Sequence, residues 1–136
     1  MMRTIFLDTS YLLALIRKND ARHKDALTAS AKHDGPFITT DLVLVELANC
    51  LSQPPYRVTA VAIIEKIRSD RNTKVVSFDS EGMEKALALY KGRPDKAWGL
   101  VDCSERLQTV PYRLYKLAEE LDIVGTVPRC MDCSPL

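Results

Sequence analysis

Thr4-Ile5-Phe6-Leu7-Asp8-Thr9-Ser10-Tyr11-Leu12-Leu13-Ala14-Leu15-Ile16 runs from a short β-prone segment through three cap-type residues into an apolar stretch of helical character. It reads as strand, cap, helix. The same grammar recurs downstream. Phe37-Ile38-Thr39 is a second short strand, followed by a helix over Leu42–Leu51 that Thr40 or Asp41 caps and Pro54-Pro55 ends. Lys74–Phe78 is a third strand candidate, followed by a helix opened by Asp79-Ser80 and closed by Gly92-Arg93-Pro94. Between these units, helices are expected over Ala21–Lys32 and Tyr56–Arg68, the latter with Val58, Val61, Ala62, Ile64 and Ile67 as its apolar positions. A last helix is expected from near Asp95 through Trp98, Val101 and Cys103. Strands this far apart cannot form hairpins, so the expectation is a three-layer α/β/α domain with a short parallel sheet.

Length and composition agree with that class. The 136 residues suffice for one domain that buries its own core, and the expectation is a single domain over 1–136. A 46% hydrophobic and 27% charged composition, with five Gly and seven Pro, excludes disordered and collagen-like classes. Nineteen Lys+Arg against eighteen Asp+Glu leave a formal charge of +1, so an anionic substrate must be met by local charge. Asp8 interrupts the apolar N-terminal stretch, which does not read as a signal peptide, and no eighteen apolar residues run together to cross a membrane. Cys50 and Cys103 sit in apolar stretches and read as small core hydrophobes in a reducing cytoplasm. Cys130-Met131-Asp132-Cys133 is a lone Cys-x-x-Cys without a second pair, and reads as incidental rather than as a zinc or redox motif.

Three carboxylates stand where the pattern wants apolar residues. Asp8 follows the first strand, where ligands bind in open parallel sheets, but it also suits a helix N-cap. Glu46 lies in a helix whose stretch from Leu42 to Leu51 is otherwise polar only at Asn49; it is either a buried acid needing a partner or metal, or part of a narrow solvent-facing stripe. Asp102 is ringed by Leu100, Val101 and Cys103, and alternatively pairs with Arg106 one turn on. Asp95 suits a first-turn acid. Carboxylates gathered together raise one another's pKa, a penalty that a hard divalent cation such as Mg²⁺ or Mn²⁺ removes. Such an ion activates water and neutralises charge on a phosphodiester, so the trio points to metal-assisted phosphate-ester hydrolysis. Lys91, Arg93 and Lys96 form a small basic cluster before Asp102, either a solvated loop or an RNA backbone contact, and Trp98 reads as a core residue.

Phe6-Leu7-Asp8-Thr9-Ser10, Thr39-Thr40-Asp41-Leu42-Val43-Leu44-Val45-Glu46-Leu47 and Asp95-Lys96-Ala97-Trp98-Gly99-Leu100-Val101-Asp102-Cys103-Ser104 together resemble the PIN-domain ribonucleases, in particular VapC-type toxins of toxin–antitoxin pairs. The resemblance spans residues 4–104. It implies that Asp8, Glu46 and Asp102 are the first three acids of a metal site, that Thr9 and Ser10 are their polar neighbours, and that Asp95 is an additional acid. It further implies RNA cleavage with Mg²⁺ or Mn²⁺, a homodimer and a small cognate antitoxin. Residues 105–136 depart from the pattern: Pro111 cuts the helix, and no strand ending in Thr-Asp or Asn-Asp supplies a fourth acid. Tyr112–Leu121 reads as a helix, Asp122–Val127 as a strand and Asp132 as a remote stand-in for the missing acid; the tail is expected to pack poorly and the activity to be impaired. Two other classes share parts of the pattern: a catalytically impaired binding module of the same fold, and a haloacid dehalogenase-type phosphatase, which wants a second Asp where Ser10 stands.

Overall fold

The structure is a computed structural model that describes residues 4–107 and the backbone of Tyr112 and Arg113. Four strands, β1 (Ile5–Phe6), β2 (Phe37–Thr40), β3 (Thr73–Val76) and β4 (Tyr112–Arg113), form one parallel sheet in the order β3-β2-β1-β4. Ile5 and Phe6 pair with Phe37 and Ile38 on one side and with Tyr112 and Arg113 on the other. Phe37 to Thr40 register against Thr73 to Val76. Six helices accompany the sheet in an α/β/α arrangement: α1 (Thr9–Ile16), α2 (His23–Lys32), α3 (Asp41–Cys50), α4 (Tyr56–Ser69), α5 (Ser80–Gly92) and α6 (Leu100–Arg106). Helix α1 packs on α2 and α3, α3 on α4, and α5 on α6.

The core forms where β1 and β2 meet α1 and α3. Phe6, Leu13, Val43, Leu47 and Leu51 are fully buried there, and Ala26 and Ala29 seat α2 against the same cluster. Burial at roughly 25 cal/mol per Å² of apolar surface is what holds strands this short in place. Polar ties add direction. The buried Thr39 hydroxyl donates to the Leu7 carbonyl at 3.0 Å, the Leu7 N–H donates to the Ile38 carbonyl at 2.8 Å, and His23 Nδ1 lies 2.7 Å from the Ala14 carbonyl.

Several boundaries differ from the sequence reading, each for a physical reason. The last helix begins at Leu100 rather than near Asp95, because Pro94 and Asp95 lie in a turn, closed by the Lys96 N–H on the Arg93 carbonyl, and Gly99 is the N-cap. Helix α4 buries Ala60 and half-buries Ile63, Ile64 and Ile67, leaving Val58 and Val61 exposed; its apolar residues offer two faces, and the packing uses the second. Tyr112 and Arg113, read as the start of a helix, form a strand, where β1 supplies backbone partners. The rest of the expected helix, the strand over Asp122–Val127, Asp132 and the Cys130–Cys133 motif lie outside the described residues. Cys50 and Cys103 are both buried in the core, as expected of small core hydrophobes. No helix among the described residues is long and apolar enough to cross a membrane.

The entry into β2 depends on Gly35, whose φ of +88° is left-handed. A Cβ there would stand 2.8 Å from both the Phe37 ring and Asn72 Nδ2, the latter engaged with the Asp34 carbonyl at 2.8 Å. Gly35→Ala is expected to destabilise the protein by about 1–3 kcal/mol, read as a lower denaturation midpoint with an unchanged m-value.

Candidate metal centre

Asp8 leaves β1 and becomes the N-cap of α1 in a single residue. Its backbone is extended, as an N-cap requires, and Oδ1 accepts the Ser10 backbone N–H at 2.9 Å. The two sequence readings of Asp8 thus coexist, because a cap uses one oxygen and leaves the carboxylate at the carboxyl edge of the sheet. Thr40 plays the corresponding role on β2, its hydroxyl accepting the Val43 N–H at 3.3 Å to start α3. One turn later α3 presents Glu46, whose Oε2 accepts the Thr9 hydroxyl at 2.7 Å. That bond ties the first turn of α1 to the middle of α3 and holds Glu46 beside Asp8. Asp102 arrives on α6 and folds back so that Oδ2 accepts the Gly99 N–H at 2.9 Å.

The charge on Asp102 reaches both other acids. Removal from water pushes the Asp8 carboxyl above its ordinary value; hydrogen bonds from Ser10 oppose this, the charge on Asp102 adds to it and the charge on Arg106 lowers it. Burial likewise pushes Glu46 up, the Thr9 hydroxyl opposes, and Asp102 and Asp8 add. The donor set is all oxygen and all anionic, which suits a hard divalent cation, and the mutual repulsion is the penalty such a cation removes. Among the described residues, however, no three His, Cys, Asp or Glu side chains are grouped closely enough to hold an ion, so the trio shares an electrostatic site without forming a closed cage.

Asp95 stands apart from this trio. Both its oxygens are taken by Arg93, at 3.0 Å from Nε and 3.0 Å from the guanidinium terminus, and hydrogen bonding to Arg93 holds its carboxyl down at about 2. Lys91 closes α5 and is exposed with Arg93 and Lys96. Trp98, read as a core residue, is half-buried with Arg106, Arg93 and Lys96 over its ring. Two residues carry more than the sequence reading gave them, which was no role for Glu105 and only a surface pairing with Asp102 for Arg106. Glu105 is 4% exposed, and Arg106 contacts Trp98 while acting on Asp8; both follow Ser104, where the recognisable pattern stops. Their spacing of three and four residues from Asp102 was the available signal, since it places them on the same side of a helix.

Because the folded pKa values of Asp8 and Glu46 are raised, the protonated forms favour folding: that stability is fully present below the ordinary values near 3.8 and 4.5 and is lost as pH rises through the raised folded values. Asn is as good an N-cap as Asp. In EDTA, Asp8→Asn is therefore expected to melt above the wild type at pH 7.5, with the gap closing towards pH 4. A gap independent of pH would show that Asp8 is not strained by its surroundings.

Comparison with known proteins follows the same residues. The PIN domain family model matches residues 5–104, a span that begins at β1 and ends within α6. No curated protein matches the chain. A crystal structure of Mycobacterium tuberculosis VapC20, described as a sarcin-ricin loop cleaving toxin, superposes with a TM-score of 0.68 at 23% identity, covering 88% of this chain and 84% of that one, a likeness of fold. With three quarters of its length matched from the first strand through the helix carrying Asp102, this chain belongs to the PIN domain family.

Proposed function

We propose that this protein is a metal-dependent endoribonuclease, the toxin of a VapC-type toxin–antitoxin pair. The observation that carries the reading is that Asp8, at the carboxyl end of β1, and Glu46, tied to the next residue through Thr9, are both pushed towards protonation by burial, with the charge on Asp102 adding to each. The family membership and the fold of the toxin it resembles support the same class of chemistry.

In this reading Asp8, Glu46 and Asp102 hold Mg²⁺ or Mn²⁺. The ion supplies Lewis-acid charge neutralisation at the scissile phosphate and activates water when bound. The chain does the rest. Ser10 fixes one oxygen of Asp8, Thr9 fixes one oxygen of Glu46, and the Gly99 N–H fixes one oxygen of Asp102, so each carboxylate is oriented before the ion arrives. Asp95 keeps Arg93 in place rather than joining the ligands, and Lys91, Arg93 and Lys96 meet the RNA backbone. A small antitoxin occupies the site when the protein is silent, and RNA and antitoxin alike place the protein in the cytoplasm. Val45, Val58 and Val61, exposed on α3 and α4, support a second copy as partner.

The absence of a closed three-acid group among the described residues favours one competing reading, a PIN-fold module that binds RNA without cutting it. Cleavage of a labelled RNA separates the two. The nuclease reading expects activity with Mg²⁺ or Mn²⁺, none in EDTA and none for Asp8→Asn, while Thr9→Val, which frees Glu46, loses about 10–100-fold. Slow cleavage with weak metal binding is the expected signature of a site lacking its fourth acid. Activity undiminished in EDTA or in Asp8→Asn would end the nuclease proposal, and RNA binding without cleavage would establish the module.

A further inference from the structure

A cavity of about 260 Å³ opens at the carboxyl ends of β2 and β3, walled by α5 and α6. Thr40, in its lining, ends β2 and caps the helix that carries Glu46; Ser104, also in its lining, follows Asp102 by two residues. Strands in a sheet lie about 4.8 Å apart, so the cavity stands roughly 5–10 Å from the end of β1, where Asp8 sits. A nucleic-acid strand rises about 3.4 Å per stacked unit and crosses that gap in a few nucleotides. The volume is below the about 300–1,000 Å³ of sites that enclose a whole small molecule, and it suits a single ring system.

The lining narrows the choice of occupant. Asp79 and Glu81 are exposed at the rim with Lys85 as the one cation among the lining residues, so a phosphate meets more negative than positive charge there. The half-buried ring of Phe78 forms an aromatic part of the wall, and Gly82 leaves space beside it: a Cβ on Gly82 would stand 3.4 Å from Phe78 Cδ2. A neutral planar group is what such a wall receives, and nucleobases stack on aromatic side chains.

The polar groups then choose among bases. Asp79 Oδ1 accepts the Gly82 N–H at 2.8 Å, which orients the carboxylate from the start of α5, and Oδ2 has no partner among the described residues. A carboxylate accepts two parallel N–H donors. Guanine presents two neighbouring donors beside its O6 acceptor. Adenine and cytosine set an acceptor next to their amino group, and uracil has one donor between two acceptors, so each meets repulsion from the second oxygen. Lys85 supplies a donor for O6, since its exposed 3.0 Å pair with Glu81 is of small energetic value. Deeper in, the buried Thr40 hydroxyl accepts the Val43 N–H and keeps its own proton, while the buried Ser104 hydroxyl donates to the Val101 carbonyl and keeps its lone pairs.

We propose that this cavity is a guanine pocket for a nucleotide near the scissile phosphate, with Asp79 as its specificity-determining residue. The inference rests on the nuclease reading for placing the base in an RNA strand and deepens it by naming what the site selects.

The test is fluorescence anisotropy, in EDTA, of two labelled RNA oligonucleotides with the full chain: an oligouridylate, and the same strand with one central guanosine. The guanosine is expected to tighten binding about tenfold, the effect of one bidentate base contact. Asp79→Asn keeps the cap but replaces an acceptor with a donor, and Ser77→Trp fills the mouth of the cavity from an exposed position. Each is expected to abolish the preference while leaving affinity for the oligouridylate within about twofold. Equal affinity of the wild type for the two strands, or no binding of either, overturns the pocket, as does a preference kept by both folded variants. A preference kept by Asp79→Asn and lost in Ser77→Trp overturns the role of Asp79. Guanosine monophosphate competing as well as the unlabelled guanosine-bearing strand overturns the assignment to RNA. The readout is base preference in binding, so a failure of the nuclease reading shows separately, as an absence of metal-dependent cleavage.

Discussion

Asp8 has to end a strand, begin a helix and keep a carboxylate out of bulk water, all within one residue. The rest of the site follows from how that is done. The carbonyl of Leu7, just before it, is held by the Thr39 hydroxyl, and the N–H of Leu7 is held by Ile38, so the chain leaves the sheet along a fixed line. Ser10 then takes one carboxylate oxygen. The next residue, Thr9, reaches across to Glu46, and the second acid is thereby placed by the same turn that caps the helix. A polar residue that would be unfavourable in the middle of a core becomes tolerable at this boundary because the backbone N–H groups of a helix start are available to it.

The first half of the molecule was legible because its signals are local. At residues 4–16 the strand, cap and helix are contiguous, and Asp8 announces the boundary by its type; at residues 37–51 Thr40 does the same. The misplaced pieces are those whose outcome depends on distant partners. The face of α4 that becomes buried is chosen by what α3 and β3 present, and the two stripes on its surface, one with Val58 and Val61 and the other with Ile63, Ile64 and Ile67, are equally apolar by composition. Trp98 was assigned to the core because indoles are large and apolar, but three cations compete for its face, and their convergence requires a turn at Pro94-Asp95 that helical propensity around residue 95 conceals.

Among the acids the same division holds. Asp8, Glu46 and Asp102 were conspicuous as charges among apolar neighbours, and that anomaly is a signal of burial rather than of exposure. Asp95 carried no such anomaly. Its neighbours Arg93 and Lys96 were visible in the sequence, and a pair two residues apart across a turn is an ordinary surface arrangement of small energetic value. A family-derived role for Asp95 as ligand therefore competes with a local bond that already engages both its oxygens.

Helix α6 shows how little chain is needed to complete such a site. Its seven residues are too few to be helical alone, since nucleation outweighs so short a run of backbone bonds. Two things hold it: the Asp102 carboxylate closing on the Gly99 N–H, and packing against α5, with Cys103 and Ala86 fully buried. On that support, positions 102, 105 and 106 share one side of the helix at spacings of three and four. They carry an acid that acts on Asp8 and Glu46, a buried acid, and a cation stacked on Trp98. Opposite charges are thus delivered to one edge of the sheet by an element whose own fold depends on one of them, so a change at Asp102 removes a site carboxylate and the N-terminal bond of the helix that carries Arg106 together.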